Sequence, residues 1–148
     1  MDTGENALKP IIIYSKNPLV KNVLVTLCKL KKLKYSIDLN NTIKLAKSYN
    51  GPAIVDGDIT IYYFSQIIQY LEQRRKIPAA LPHDPKTYAL TMIITMELLS
   101  NPHNHQKTID EAIKTKNPFI TDEPTILDIA IATITSDSTY TQQILTCQ

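Results

Sequence analysis

The chain has 148 residues, 43% of them hydrophobic and 20% charged, with no tryptophan, three glycines and a formal charge of +2. That length holds one well-filled domain, or a small domain with a helical appendage, and the composition excludes a disordered or collagen-like chain. Cys28 and Cys147, the two cysteines, lie far apart and in no CxxC pattern, which excludes a disulfide framework and points to a reducing cytoplasm.

In chain order, the opening MDTGENALKP carries no apolar core and no later run reaches membrane-spanning length, so neither secretion nor insertion in a membrane is expected. Ile11 to Tyr14 is a β-branched run that suits a buried strand. From Leu19 to Leu33, Val20, Val23, Leu24, Leu27, Cys28 and Leu30 recur at helical spacing and predict one buried stripe, with Cys28 as a core residue. Tyr35 to Leu39 alternates like a half-buried strand, and Asn40 to Asn50 reads as a polar connection with room for a helical turn. Ala53–Val55 and Ile59–Tyr62 flank Asp56-Gly57-Asp58, a loop suited to an antiparallel hairpin, and a helix follows from Phe64 to Arg75. This β-α-β-(α)-β-β-α order describes a thioredoxin-like unit over 10–76.

Residues 77–85 form a Pro-rich linker in which helix is disfavoured. Residues 86–148 then read as an all-helical half: Lys86–Leu99, a short amphipathic piece at Lys107–Thr115, and Thr125–Ser136. Met92, Met96 and Leu99 read as core, and the tail from Asp137 has no strong pattern. The positive charge is local, with Lys29, Lys31, Lys32 and Lys34 in one run and Arg74, Arg75 and Lys76 in another. Each run reads as a solvated helix end. Neither supplies by itself the broad basic face that several phosphates require, so direct nucleic-acid binding is not expected.

Three segments carry a resemblance. Gly51-Pro52-Ala53-Ile54-Val55, the passage from Ile59 through Phe64 to Glu72, and Phe119 to Ala130 together resemble the glutathione S-transferase fold superfamily. The third segment contains a capping box, in which the Thr125 hydroxyl and the Asp128 carboxylate exchange backbone N–H groups. With the linker, the similarity runs closest to the stringent starvation protein A-like branch, which associates with RNA polymerase. The resemblance implies an α/β thioredoxin-like N-terminal domain plus a shortened all-α C-terminal domain. It also implies a cis Pro52 beside a glutathione site.

That site looks degenerate. Val20 stands where the family places a thiol-activating Ser or Cys, which leaves Tyr14, with Ser15 beside it, as the candidate activator. Tyr63 and Phe64 stand where a Glu/Gln-Ser pair holds the γ-glutamyl group, and Ser65, one residue on, reads as a helix cap before a ligand. An apolar, partly hydroxylated patch of this kind suits a protein partner or dimer packing better than a small zwitterion. The expectation is a non-catalytic adaptor acting through protein contacts, with RNA polymerase or a transferase-like subunit as partner, in a homo- or heterodimer. Pro78, Leu81, Pro82, His83 and Tyr88 are the candidate partner surface. Two alternatives stay open: a minimal transferase that uses glutathione, and an assembly module of a larger complex. No other cofactor and no metal is expected, because His103 and His105, with His83 and Glu97 nearby in the pattern, lack ligand spacing and read as solvated.

Overall fold

The structure, a computed structural model, describes residues 9–39, 45, 49–107, 110 and 123–146. It divides into two units, Met1–Lys76 and Ile77–Gln148. The first contains a four-stranded sheet in the order β2-β1-β3-β4, built from β1 (Ile11–Tyr14), β2 (Tyr35–Ile37), β3 (Ala53–Asp56) and β4 (Ile59–Tyr62). β1 pairs parallel with β2 and antiparallel with β3, so it is a central strand, which accounts for its nearly continuous apolar run. Gly57, at φ 63°, supplies the left-handed residue of the two-residue turn joining β3 to β4.

The parallel β1–β2 pair needs a crossover, and α1 (Pro18–Leu30) provides it, burying Val23, Leu24, Leu27, Cys28 and Leu30. The helix stops earlier than the apolar spacing predicts. Lys32 turns left-handed at φ 55°, and the Leu33 amide reaches back to the Cys28 carbonyl at 2.9 Å while the Lys32 amide reaches Lys29, a Schellman closure. Lys31 sits inside that turn and is wholly buried, which corrects the reading for this one lysine of the run; Lys29, Lys32 and Lys34 are exposed. Its ammonium lies 2.7 Å from a Glu72 carboxylate oxygen and donates to the Arg75 carbonyl at 2.5 Å. Both partners belong to the end of α2 (Phe64–Arg74), whose inner face is Ile67, Ile68 and Leu71. Arg74 pairs with Asp56 at 3.1 Å, and the Tyr70 hydroxyl donates to the same carboxylate oxygen.

In the second unit, Asp84 caps α3 (Pro85–Ser100) by accepting from the Thr87 amide at 2.9 Å, with Pro85 in the first turn. α3 buries Thr91, Met92, Thr95, Leu98 and Leu99, but Met96 is 44% exposed, so the expected methionine stripe is divided between core and surface. Thr91 and Thr95 satisfy their hydroxyls on the carbonyls of Thr87 and Thr91. A 3-10 turn, Pro102–His105, follows. The piece expected at Lys107–Thr115 lies largely outside the described residues.

α4 (Ile126–Thr135) is buried continuously from Ile126 to Ala132. The tail beyond Asp137 is helical, contrary to its weak pattern: α5 (Ser138–Thr146) buries Tyr140 and Ile144, and the Asp137 carboxylate accepts the Tyr140 amide at 2.9 Å. Ser136, left-handed at φ 54°, makes the sharp turn between α4 and α5.

The Lys31–Glu72 pair should be asymmetric under mutation. Glu72→Leu leaves a wholly buried ammonium without its carboxylate and should cost about 3 kcal/mol. Lys31→Met leaves Glu72, whose side chain keeps 15% exposure, able to reach water and should cost distinctly less. Urea denaturation of the two variants measures the difference.

Candidate functional site

The sheet register decides which candidates meet. Tyr14 pairs with Ala53 and Ala53 with Tyr62, so one step further along the sheet Ser15, Pro52 and Tyr63 come to the same end. α1 and α2 both begin at that end, at Pro18 and Phe64. Tyr14, Ser15, Pro52, Tyr63, Phe64 and Ser65 are therefore gathered at one sheet end in the first unit. Thr125, Asp128, Pro78, Leu81, Pro82, His83 and Tyr88 belong to the second unit.

Several groups at this end are already engaged within the chain. Tyr14 is buried in the sheet. The Ser15 hydroxyl donates to the Asn17 carbonyl and accepts the Asn17 amide, both at 3.1 Å. The Asn17 carboxamide oxygen accepts the amides of Leu19 at 2.9 Å and Val20 at 3.3 Å, the first-turn donors that would otherwise face an anion. Gly51–Pro52 is trans, which corrects the expected cis geometry; the cis bond among the described residues is Ile77–Pro78.

Ser65 is not a cap either. Tyr63 holds the N-cap position, at φ 67° and ψ 133°, and Ser65 lies inside the first turn, past the place from which a hydroxyl accepts the free amides. Tyr63 is 63% exposed in a backbone conformation that side-chain-bearing residues rarely adopt.

Tyr49 is the residue that sequence reasoning missed, because it lies in the stretch read as a polar connection. Its hydroxyl donates to the Pro52 carbonyl and accepts the Tyr63 amide at 2.9 Å. Its ring meets Tyr62 and Tyr63 edge to face, with centroids 4.9 and 5.4 Å away. Burial raises the Tyr49 pKa, and the Tyr63 amide opposes that shift. The available signal was Gly51: a Cβ there would stand 2.6 Å from the Tyr49 hydroxyl oxygen. One phenol thus closes a backbone acceptor and a backbone donor that stand together at this sheet end.

No protein-family model and no curated protein matches the chain. Solved structures do. A glutathione transferase homolog from Burkholderia gl BGR1 with bound glutathione is 18% identical at TM-score 0.57, covering 93% of this chain and 90% of that one. A glutathione S-transferase from Rhodospirillum rubrum F11 is 15% identical at TM-score 0.66, over 91% of this chain and 86% of that one. A maleylacetoacetate isomerase from Anaeromyxobacter dehalogenans 2CP-1 is 17% identical at TM-score 0.56, over 93% and 80%. The fold is that of the glutathione S-transferases. Its thioredoxin-like part is the mixed sheet with α1 and α2, and its helical part is the second unit.

In that helical part, the Asp128 carboxylate accepts the Thr125 amide at 2.8 Å, and the Thr125 hydroxyl oxygen lies 3.2 Å from the Leu127 amide. The other Asp128 oxygen accepts the Tyr140 hydroxyl at 2.9 Å, so the box is also the tie between α4 and α5. Burial, then the Asp128 charge, raises the Tyr140 pKa. A surface depression of about 360 Å³ brings Leu81, Pro82 and His83 together with Pro124 and Thr125, without Pro78 or Tyr88. Leu81 is largely buried beside Ala80, whose carbonyl accepts the Ile126 amide at 2.8 Å, so most of its side chain packs inward. His105 stands 3.8 Å from Glu97, and no cluster among the described residues could hold a metal ion.

Cys28 is buried, and burial pushes its thiol up to about 12 from 9.0, which makes it a poor nucleophile. Above pH 9 the unfolded thiol ionises while the folded one does not, so stability should fall with rising pH, by up to about 1.4 kcal/mol per pH unit. Denaturation from neutral pH to pH 10 should show that decline, and Cys28→Ala should make it shallower without abolishing it, because Tyr49, Tyr70 and Tyr140, whose folded pKa values are also raised, add to it as the unfolded phenols begin to ionise. Tyr49→Phe should cost about 1 kcal/mol by unpairing the Pro52 and Tyr63 groups. Gly51→Ala should act by displacing the same hydroxyl, so the double variant should lose clearly less than the sum of the two, as a double-mutant cycle will show.

Proposed function

We propose that this chain is a non-catalytic protein of glutathione S-transferase fold that works through protein contacts, in the manner of the stringent starvation protein A-like branch, with RNA polymerase as its partner. The observation that carries this reading is the internal occupation of the sheet end. Asn17 takes the first-turn amides of α1, Ser15 is tied to Asn17, and Tyr49 takes the Pro52 carbonyl and the Tyr63 amide. A small polar ligand would have to displace these internal bonds before making its own.

The surface of the second unit supports protein contact. Leu90, Ile93 and Met96 are 49%, 60% and 44% exposed and recur every three residues along α3, an apolar stripe of the kind a second subunit covers. The glutathione bound to the Burkholderia homolog favours a second reading, a minimal transferase in which Tyr14 or Ser15 activates the thiol and Ser65 holds the γ-glutamyl group.

Calorimetric titration with reduced glutathione separates the two. The adaptor reading expects no heat and no shift in melting temperature, together with co-elution with purified RNA polymerase. Saturable heat in the micromolar-to-millimolar range, weakened by Tyr14→Phe or Ser65→Ala and accompanied by thiol conjugation, would establish the transferase instead.

A further inference from the structure

The end of the first unit's sheet opposite the candidate site is a second surface, and it goes beyond the reading above without depending on it. β1 runs from Ile11 toward the candidate site, and α1 returns the chain so that the Lys34 carbonyl accepts the Ile11 amide at 2.9 Å. α2 likewise starts at the candidate site and returns to Arg74, which pairs with Asp56 in the row of Ile11 and Ile12. The two C-terminal ends then meet through Lys31, which binds Glu72 and the Arg75 carbonyl across 44 positions of sequence.

Two basic runs that are separate in sequence therefore form one surface. Lys29, Lys32 and Lys34 from the end of α1, Arg75 and Lys76 from the end of α2, and Lys9 ahead of β1 are all exposed there. The nearby carboxylates of Glu72 and Asp56 are engaged with Lys31 and with Arg74 and Tyr70. Among the described residues, Asp58, in the β3–β4 turn, is the exposed acid at this end.

We propose that this basic end binds the phosphate backbone of a nucleic-acid duplex. The chemistry of the patch selects that partner. It is dominated by lysine, a flexible point charge that meets phosphates without demanding a fixed geometry. The cores of protein interfaces are depleted of lysine and anchored by aromatic side chains, and single strands need aromatic platforms for their bases. Of the large apolar side chains exposed in the first unit, Tyr63 and Leu39 lie toward the opposite end, leaving Ile59 at this one, and exposed Ile77 directly follows Lys76; neither isoleucine is aromatic. Lysines beside two exposed isoleucines also make a weak membrane anchor. Either basic run alone reaches too few phosphates; the convergence makes the surface.

The test is fluorescence anisotropy of the full chain with a short, labelled, mixed-sequence DNA duplex over a salt series. With four or five cations engaged, the logarithm of affinity should fall against the logarithm of salt with a slope of about −4. Lys29→Glu/Lys34→Glu and Arg75→Glu/Lys76→Glu, taken from the two different helix ends, should each weaken binding roughly tenfold or more. Lys16→Glu, at the opposite end of the same sheet, should change it by less than about twofold. Thermal melts identify any variant that fails to fold. No binding at low salt, no salt dependence, or loss from one helix end only would overturn the proposal. So would binding to phosphatidylserine vesicles without binding to the duplex, or binding to an acidic peptide alone.

Discussion

A wholly buried ammonium sets the arrangement of the first unit. Lys31 sits where the chain leaves α1, and Glu72 and the Arg75 carbonyl reach its charge there and offset the loss of water. The left-handed Lys32 and the Leu33-to-Cys28 bond place it in that position. Removing water from such a group leaves the fold little freedom in how the ends of α1 and α2 lie against each other. That fixed contact brings two runs of cations onto one surface, and it leaves the other end of both helices at the sheet edge where the candidate ligand groups gather.

At that edge the governing constraint is hydrogen-bond satisfaction. Strand ends and helix starts present unpaired backbone groups, and a ligand-binding protein keeps some of them for its ligand. Here Asn17 and Tyr49 take several of them from within the chain. Gly51 is part of the same device, since any side chain there would collide with the phenol that bridges Pro52 and Tyr63. The second unit solves the equivalent problem with Asp128, which closes the start of α4 and then ties α5 through Tyr140.

Much of the fold was legible because its elements are local. The period of apolar residues marked α1, α2, α3 and α4, the Gly57 turn marked the hairpin, and Thr125 with Asp128 marked a helix start. The failures share a cause. α5 was missed because its two buried residues, Tyr140 and Ile144, make only a short stripe whose stability depends on packing against α4. Lys31 was read as solvated because a lysine in a basic run looks the same whether or not a distant carboxylate covers it.

The sequence by itself determined the order of strands and helices and the turn residues, because these depend on backbone preference and on side-chain chemistry within a few positions. Only the tertiary structure decided that Tyr49 fills the site, that Pro52 is trans, that Ser65 lies inside its helix, and that two basic runs are one surface. Those outcomes rest on contacts between residues far apart in the chain. Burial and pairing belong to the pair, and no single stretch of sequence carries both partners.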